Sequence, residues 1–232
     1  PKVIEHFHGV EFKPPLQRLR EYVEIINTIM RGEPLKYSGK LFDLQRGFTL
    51  RFKPIRDHIP IYLATINAKS VKMTAELADG WLPIMIPLEH LKSEIDNVRQ
   101  ASVAAGRPAR AVSVRAPGTV TVTPHVDKAR AASAGMLAFY IGRMGTFYAA
   151  QLTRLGYGDA VETIKKAWEG GSKGAGEAVP DRLVDATGCV GSVEKGIERL
   201  QAQEESGVDL HHVNVQADND EEYGQILAKL VG

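Results

Sequence analysis

Residues 59–85 read IPIYLATINAKSVKMTAELADGWLPIM. The β-branched and aromatic run at 59–64 predicts a strand, and the polar residues 65–68 a turn. A helix should follow, with Val71, Ala75, Leu77 and Ala78 on one face. Asp79-Gly80 stops that helix, and a second apolar run, 81–86, begins at once. Two strands joined by a helix and short loops make a β-α-β unit, so the strands are parallel and buried on both faces. The loop after the first strand carries backbone N–H groups to a helix N-terminus, a place suited to an anion.

The same alternation extends in both directions. Upstream, Leu16, Leu19, Tyr22, Val23, Ile26 and Met30 recur at helical spacing between Pro14-Pro15 and Gly32. Two alternating runs within 35–52, around Ser38-Gly39 and Arg46-Gly47, predict a small antiparallel excursion. Downstream, Pro87 opens a helix with Leu88, Leu91, Ile95, Val98 and Val103 inward, ending at Gly106 and Pro108. Residues 112–122 predict one strand, and 126–136 a helix. The Gly-punctuated stretch 137–180 reads as a helical insertion, with a mobile loop at 170–176. The last two strands are expected at 183–190 and 210–215, each followed by a helix, at 192–206 and 220–231. This is the pattern of an α/β protein with a parallel sheet, organised as a single domain over 1–232. It contains about five βα units, fewer than the eight of a closed (β/α)8 barrel. An open doubly wound sheet or the latter part of a barrel both satisfy the pattern.

Composition narrows the function classes. Lys and Arg number 29 against 28 Asp and Glu, and a net charge of +1 gives no electrostatic case for nucleic acid. No run reaches the ~18 apolar residues that span a bilayer. The opening residues PKVIEHFHG lack the apolar stretch of a secretory leader, and Cys189 stands alone, so a reducing, cytoplasmic setting is expected. The chain starts on Pro1 and its first strong periodic element is already a helix. A start partway through a domain is the expectation.

The residues quoted above then become informative together. IPIYLATINAKSVKMTAELADGWLP resembles the fifth βα unit of the bacterial-luciferase-like flavin and deazaflavin oxidoreductases, particularly the branch that uses coenzyme F420. Three more segments resemble the same branch in the same order: GVEFKPPLQRLREYVEIINTIMRGEPLKYSGKLFDL, YIGRMGTFYAAQLTRLGY and VPDRLVDATGCVGSVEKGIERL. The resemblance covers essentially the whole chain. It implies a (β/α)8 TIM barrel, of which this chain carries the C-terminal five or so units with the helical insertion 137–180. It also implies a small-molecule substrate, a homodimer, and a cofactor at the C-terminal mouth of the barrel. That cofactor is coenzyme F420, with FMN the alternative, and its phosphate lies near Thr65, Ile66, Asn67, Ala68, Lys69 and Ser70. Family members usually have Gly then Pro where Asn67 and Ala68 stand. Glycine allows a closer backbone approach than Asn, whose alternative role is a helix N-cap.

Other residues have candidate roles. His6-Phe7-His8 is an H-x-H pair, but no carboxylate cluster accompanies it, so no metal is expected. On the resemblance this segment borders the active-site mouth, which makes Glu5, His6 and His8 candidates for the substrate pocket; exposed loop residues are the alternative. Met144 and Tyr148 are candidates for the same pocket if the insertion acts as a lid. Trp81, Tyr140 and Phe147 fall at apolar periodic positions and are read as core. Of His211 and His212, strand alternation points one inward and one outward. Cys189 reads as a small buried hydrophobe and Ser192 as an N-cap. No catalytic residue can be named. The implied activity is hydride transfer between a deazaflavin and an unidentified small organic substrate. An FMN-dependent monooxygenase and a non-catalytic barrel fragment are the alternatives.

Overall fold

The structure is a computed structural model that describes residues 2–52, 55–56, 58–171 and 174–231. Residues 172 and 173, within the expected mobile loop, lie outside the described residues. The first helices are α1 (Lys2–Phe7) and α2 (Pro15–Met30), and the antiparallel hairpin is β1 (Leu35–Ser38) with β2 (Asp43–Phe48). One buried charge holds α2 to the hairpin. The Glu21 carboxylate accepts hydrogen bonds from the backbone N–H groups of Lys40 at 2.9 Å and Phe42 at 2.9 Å, and from Gln17 Nε2 at 2.7 Å. A Cβ on Gly39 would collide with this carboxylate, so the turn requires glycine.

The β-α-β unit follows as β3 (Tyr62–Leu63), α3 (Ala68–Leu77) and β4 (Gly80–Trp81), continuing into α4 (Leu88–Ala104) and β5 (Ser113–Val114). β3, β4 and β5 are parallel, in that order. A second parallel sheet is centred on β6 (Val120–Val122), flanked by β7 (Cys189–Gly191) and β8 (Val213–Val215). A parallel bridge from Arg115 to Leu210 carries the pairing between the two sheets. Segments 62–63, 80–81, 113–122 and 210–215 therefore stand side by side as consecutive parallel staves.

Alternation along 112–122 sorts the two faces. Val112, Val114 and Ala116 pack with Val71 and Ala75 of α3 and Leu91, Ile95 and Val98 of α4. Val120 and Val122 pack with Cys189 and with α9 (Val193–Glu205) and α10 (Asp220–Val231). Burying each large apolar side chain in these layers contributes about 1.5–3 kcal/mol. The opposite face carries Arg115, Thr119 and Thr121, with His212 and Asn214 alongside by register. Apolar residues face the helices and polar ones the lumen side.

Between β6 and β7 the chain makes a helical excursion: α5 (Val126–Arg143), α6 (Phe147–Leu152), a wide turn at Thr153–Tyr157, α7 (Gly158–Glu169) and α8 (Asp181–Thr187). Its core includes Leu137, Ile141, Leu152, Ile164 and Leu183. Arg130 of α5 donates to Asp181 and Asp185 of α8, both at 2.7 Å, and Tyr157 donates to Glu89 of α4 at 2.6 Å. The Arg130 guanidinium holds the Asp185 carboxyl below its ordinary range.

Several expectations are corrected. Residues 112–122 are two short strands, because Pro117-Gly118 interrupts the ladder where the backbone meets Thr187; a Cβ at Gly118 would strike the Thr187 carbonyl. Residues 183–187 are helical: Pro180 and Asp181 start a turn, and the Thr187 hydroxyl donates back to the Leu183 carbonyl at 2.7 Å. Only Cys189–Gly191 of that run is a strand. The apolar run 81–86 pairs only at Trp81, since Pro83 lacks an N–H and Met85 adopts a φ of 52°. The helix predicted at 126–136 continues to Arg143, so the expected insertion boundary at 137 falls inside α5.

Candidate cofactor-binding site

Two loops emerge at the C-terminal ends of β3 and β4. In the first, Thr65 is buried and its hydroxyl lies 2.7 Å from that of Thr74. The Thr65 carbonyl accepts from Trp81 Nε1 at 3.0 Å, which pins the loop to β4. Asn67 caps α3, with its Oδ1 accepting from the Ser70 N–H at 3.1 Å, while the Ser70 hydroxyl donates to the Asn67 carbonyl at 2.9 Å. Asn67 has φ −87° and ψ 157°, extended backbone open to any residue, so this turn does not require glycine. Of the first N–H groups of α3, that of Ser70 is occupied and those of Ala68 and Lys69 remain at the open end of the helix.

The end of α3 opens into a groove of about 530 Å³. Ile66, Asn67, Ala68 and Lys72 form one wall; Glu94, Asn97 and Ala101 of α4 form a second; Phe147, Ala150, Gln151 and Arg154 form the third. Arg154 donates to Glu94 at 2.8 Å across the groove. Gln151 Nε2 donates to the carbonyls of Ile84 at 2.7 Å and Met85 at 3.0 Å, fixing the second loop.

The six residues assigned to a cofactor phosphate therefore divide. Ile66, Asn67 and Ala68 line the groove; Lys69 is exposed; the hydroxyls of Thr65 and Ser70 point into the helix and its neighbours. Two open amides with Lys69 and Lys72 nearby are a donor set that fits a phosphate. Among the groove side chains the one carboxylate, Glu94, is tied to Arg154, so the groove is equipped to hold a ligand rather than to make or break bonds.

The other candidates are placed elsewhere. Glu5 and His6 belong to α1 rather than to a loop, and with His8 they are exposed and absent from the groove lining. No group of three or more His, Cys, Asp or Glu with metal-holding geometry occurs among the described residues. Met144 ends α5, and the Tyr148 ring packs edge-on to Tyr140 at 4.9 Å, so neither lines the groove. Phe147, read as core, is 43% exposed and lines it instead. His211 and His212 are both exposed; His212 Nδ1 lies 2.9 Å from the Thr119 hydroxyl, and partial desolvation of the ring, with the Arg115 charge nearby, lowers its pKa. Cys189 is buried, with its thiol pushed up by that burial, and Ser192 caps α9 through the Lys195 N–H.

Sequence reasoning missed Lys72, Glu94, Asn97, Gln151 and Arg154. One signal was present: Glu94, Asn97 and Ala101 recur at helical spacing along the flank of the apolar stripe of α4. The pairing of Glu94 with Arg154 spans sixty residues and leaves no local trace.

Residues 1–210 match the family described as luciferase-like monooxygenase. A Mycobacterium tuberculosis protein named as a coenzyme F420-dependent oxidoreductase is 32% identical over 231 residues, covering 90% of this chain and 66% of that protein. The 5,10-methylenetetrahydromethanopterin reductase of Archaeoglobus fulgidus is 32% identical over 210 residues, covering 86% of this chain and 60% of the reductase. Among solved structures, the coenzyme F420 dependent tetrahydromethanopterin reductase of Methanopyrus kandleri superposes with a TM-score of 0.73 at 21% identity, over 92% of this chain and 61% of that one. The chain thus spans 60 to 66% of the length of these curated relatives. The fold is shared with the Methanopyrus kandleri reductase over most of this chain, and the chain belongs to the luciferase-like monooxygenase family.

Proposed function

We propose that this chain is the cofactor-holding part of a coenzyme F420-dependent oxidoreductase acting on a small organic molecule. The observation that carries the reading is the open end of α3, where Ala68 lines a groove and its amide and that of Lys69 are left without an intrahelical acceptor, in a chain 32% identical to a relative named for that coenzyme. The deazaflavin, when bound, supplies the hydride acceptor or donor carbon; the protein supplies position and electrostatics. The two amides and the positive end of the α3 dipole hold a phosphate, and the ammonium groups of Lys69 and Lys72 balance its charge. The Trp81 bond to Thr65 keeps the amides aimed in one direction.

The family description as monooxygenases favours a second reading, in which reduced FMN and oxygen replace the deazaflavin. Fluorescence titration of the purified chain with coenzyme F420 and with FMN separates the two. Saturable binding of F420, competed by neither free phosphate nor FMN at equal concentration, is the expected result. Preferential FMN binding with oxygen uptake on reduction supports the second reading, and binding of neither overturns both. A homodimer and a cytoplasmic location belong to the same proposal, with the exposed Tyr22 and Ile26 of α2 as apolar surface for a second subunit. No helix among the described residues is long and apolar enough to cross a membrane.

A further inference from the structure

The β4–α4 loop contains a feature that hydride chemistry does not explain. Met85 has a φ of 52°, in the left-handed region that side chains other than glycine rarely adopt, and the residue is only 2% exposed. Its side chain packs in the excursion's core, so the unusual backbone is buried as well. The peptide carbonyls on either side of this reversal both accept from one donor, Gln151 Nε2, at 2.7 and 3.0 Å. Gln151 is 6% exposed and sits on α6 between Ala150 and Arg154, all three lining the groove that begins at Ile66–Ala68. A buried carbonyl without a partner is costly, so a single side-chain amide makes this conformation tenable. Residues held in sparsely populated backbone regions persist where their surroundings enforce them, and they concentrate at ligand sites.

We propose that Gln151 is a positioning residue for the cofactor. Its amide fixes the reversed backbone of Ile84–Met85 and thereby sets the distance between the α6 wall of the groove and the α3 amides. The proposal rests on reading the groove as the cofactor site. The excursion thus contributes a specific polar latch on the loop after β4 in addition to apolar packing.

Two variants and two measurements test this. Gln151→Met keeps the length and nearly the volume of the side chain and removes the amide with its donor, whereas Gln151→Ala removes the packing too. Local hydrogen exchange is read without any ligand, over peptides covering 82–91 and, as a control, 193–205. The dissociation constant for coenzyme F420 is then read by fluorescence. In Gln151→Met, exchange over 82–91 should accelerate about tenfold with the control peptide unchanged, and F420 should bind about tenfold more weakly, as expected for one lost hydrogen-bonding group. If Gln151→Met behaves as wild type and only Gln151→Ala loosens the loop, the residue is a packing element and the proposal is overturned. Acceleration in both peptides alike overturns it as well, since that reports global stability. If the wild-type chain binds no F420, the cofactor reading fails on its own, while the exchange measurement still decides whether Gln151 holds the loop.

Discussion

Asn67 shows how a departure from family habit is absorbed by one side chain. Because its backbone is extended, glycine would gain nothing conformationally there, and the asparagine instead occupies the Ser70 amide. Asn67→Ala should cost about 1 kcal/mol, read as a lower thermal midpoint, because the cap is lost. Asn67→Gly should cost only a few tenths of that and, by freeing a third amide, tighten phosphate-bearing ligands in titration. Glu21 is the other residue with a measurable signature. Burial opposes its charge, yet the bonds from Gln17 and the amides of Leu41, Phe42 and Lys40 outweigh burial and hold its pKa below the ordinary 4.5. Folding therefore favours the ionised form. That stabilisation is complete above the unfolded pKa and is lost as pH falls through the folded one. Glu21→Gln turns an amide donor toward three backbone donors and should melt lower than wild type at neutral pH. The gap should close as both are acidified from above the ordinary 4.5 down through the lowered folded-state pKa. An unchanged gap across that range would contradict the cage.

At the scale of elements, what was legible followed from length. The helices found as α2, α3, α4, α9 and α10 were read within a few residues because each shows several turns of apolar periodicity. The strands were located but overextended, since two or three paired residues are too few for alternation to fix their ends. Residues 183–187 misled because Leu183, Val184 and Thr187 look strand-like in composition, while their one-face spacing is helical and only the packing reveals it. Leu183 is wholly buried in the excursion's core, so Leu183→Ala should destabilise by about 2–5 kcal/mol, measured by denaturant unfolding. Had the segment been a surface strand, the loss would be far smaller. The α3 end of the groove was legible as a helix start after a strand; its other two walls come from elements brought together only by folding.

Across the whole molecule, the helical excursion stands between β6 and β7 with ion pairs of its own. Arg130, 20% exposed, joins α5 to α8 there through Asp181 and Asp185. Because those carboxylates are largely open to water, Arg130→Ala should cost only about 1 kcal/mol, and the difference from wild type should shrink in high salt. The excursion leaves β6 and returns on β7, and these strands pair from Val120–Cys189 to Val122–Gly191. The two strands are therefore neighbours in the sheet and, being parallel, require a crossover from the end of β6 to the start of β7, whatever that crossover contains. The entropic cost of a loop closed in this way grows only with the logarithm of its length. The scaffold can accept a longer, shorter or differently folded excursion with its staves undisturbed, provided each new version supplies a donor for the carbonyls of Ile84 and Met85. Selection can thus rebuild one wall of the groove as an exchangeable cassette while the α3 end stays as it is.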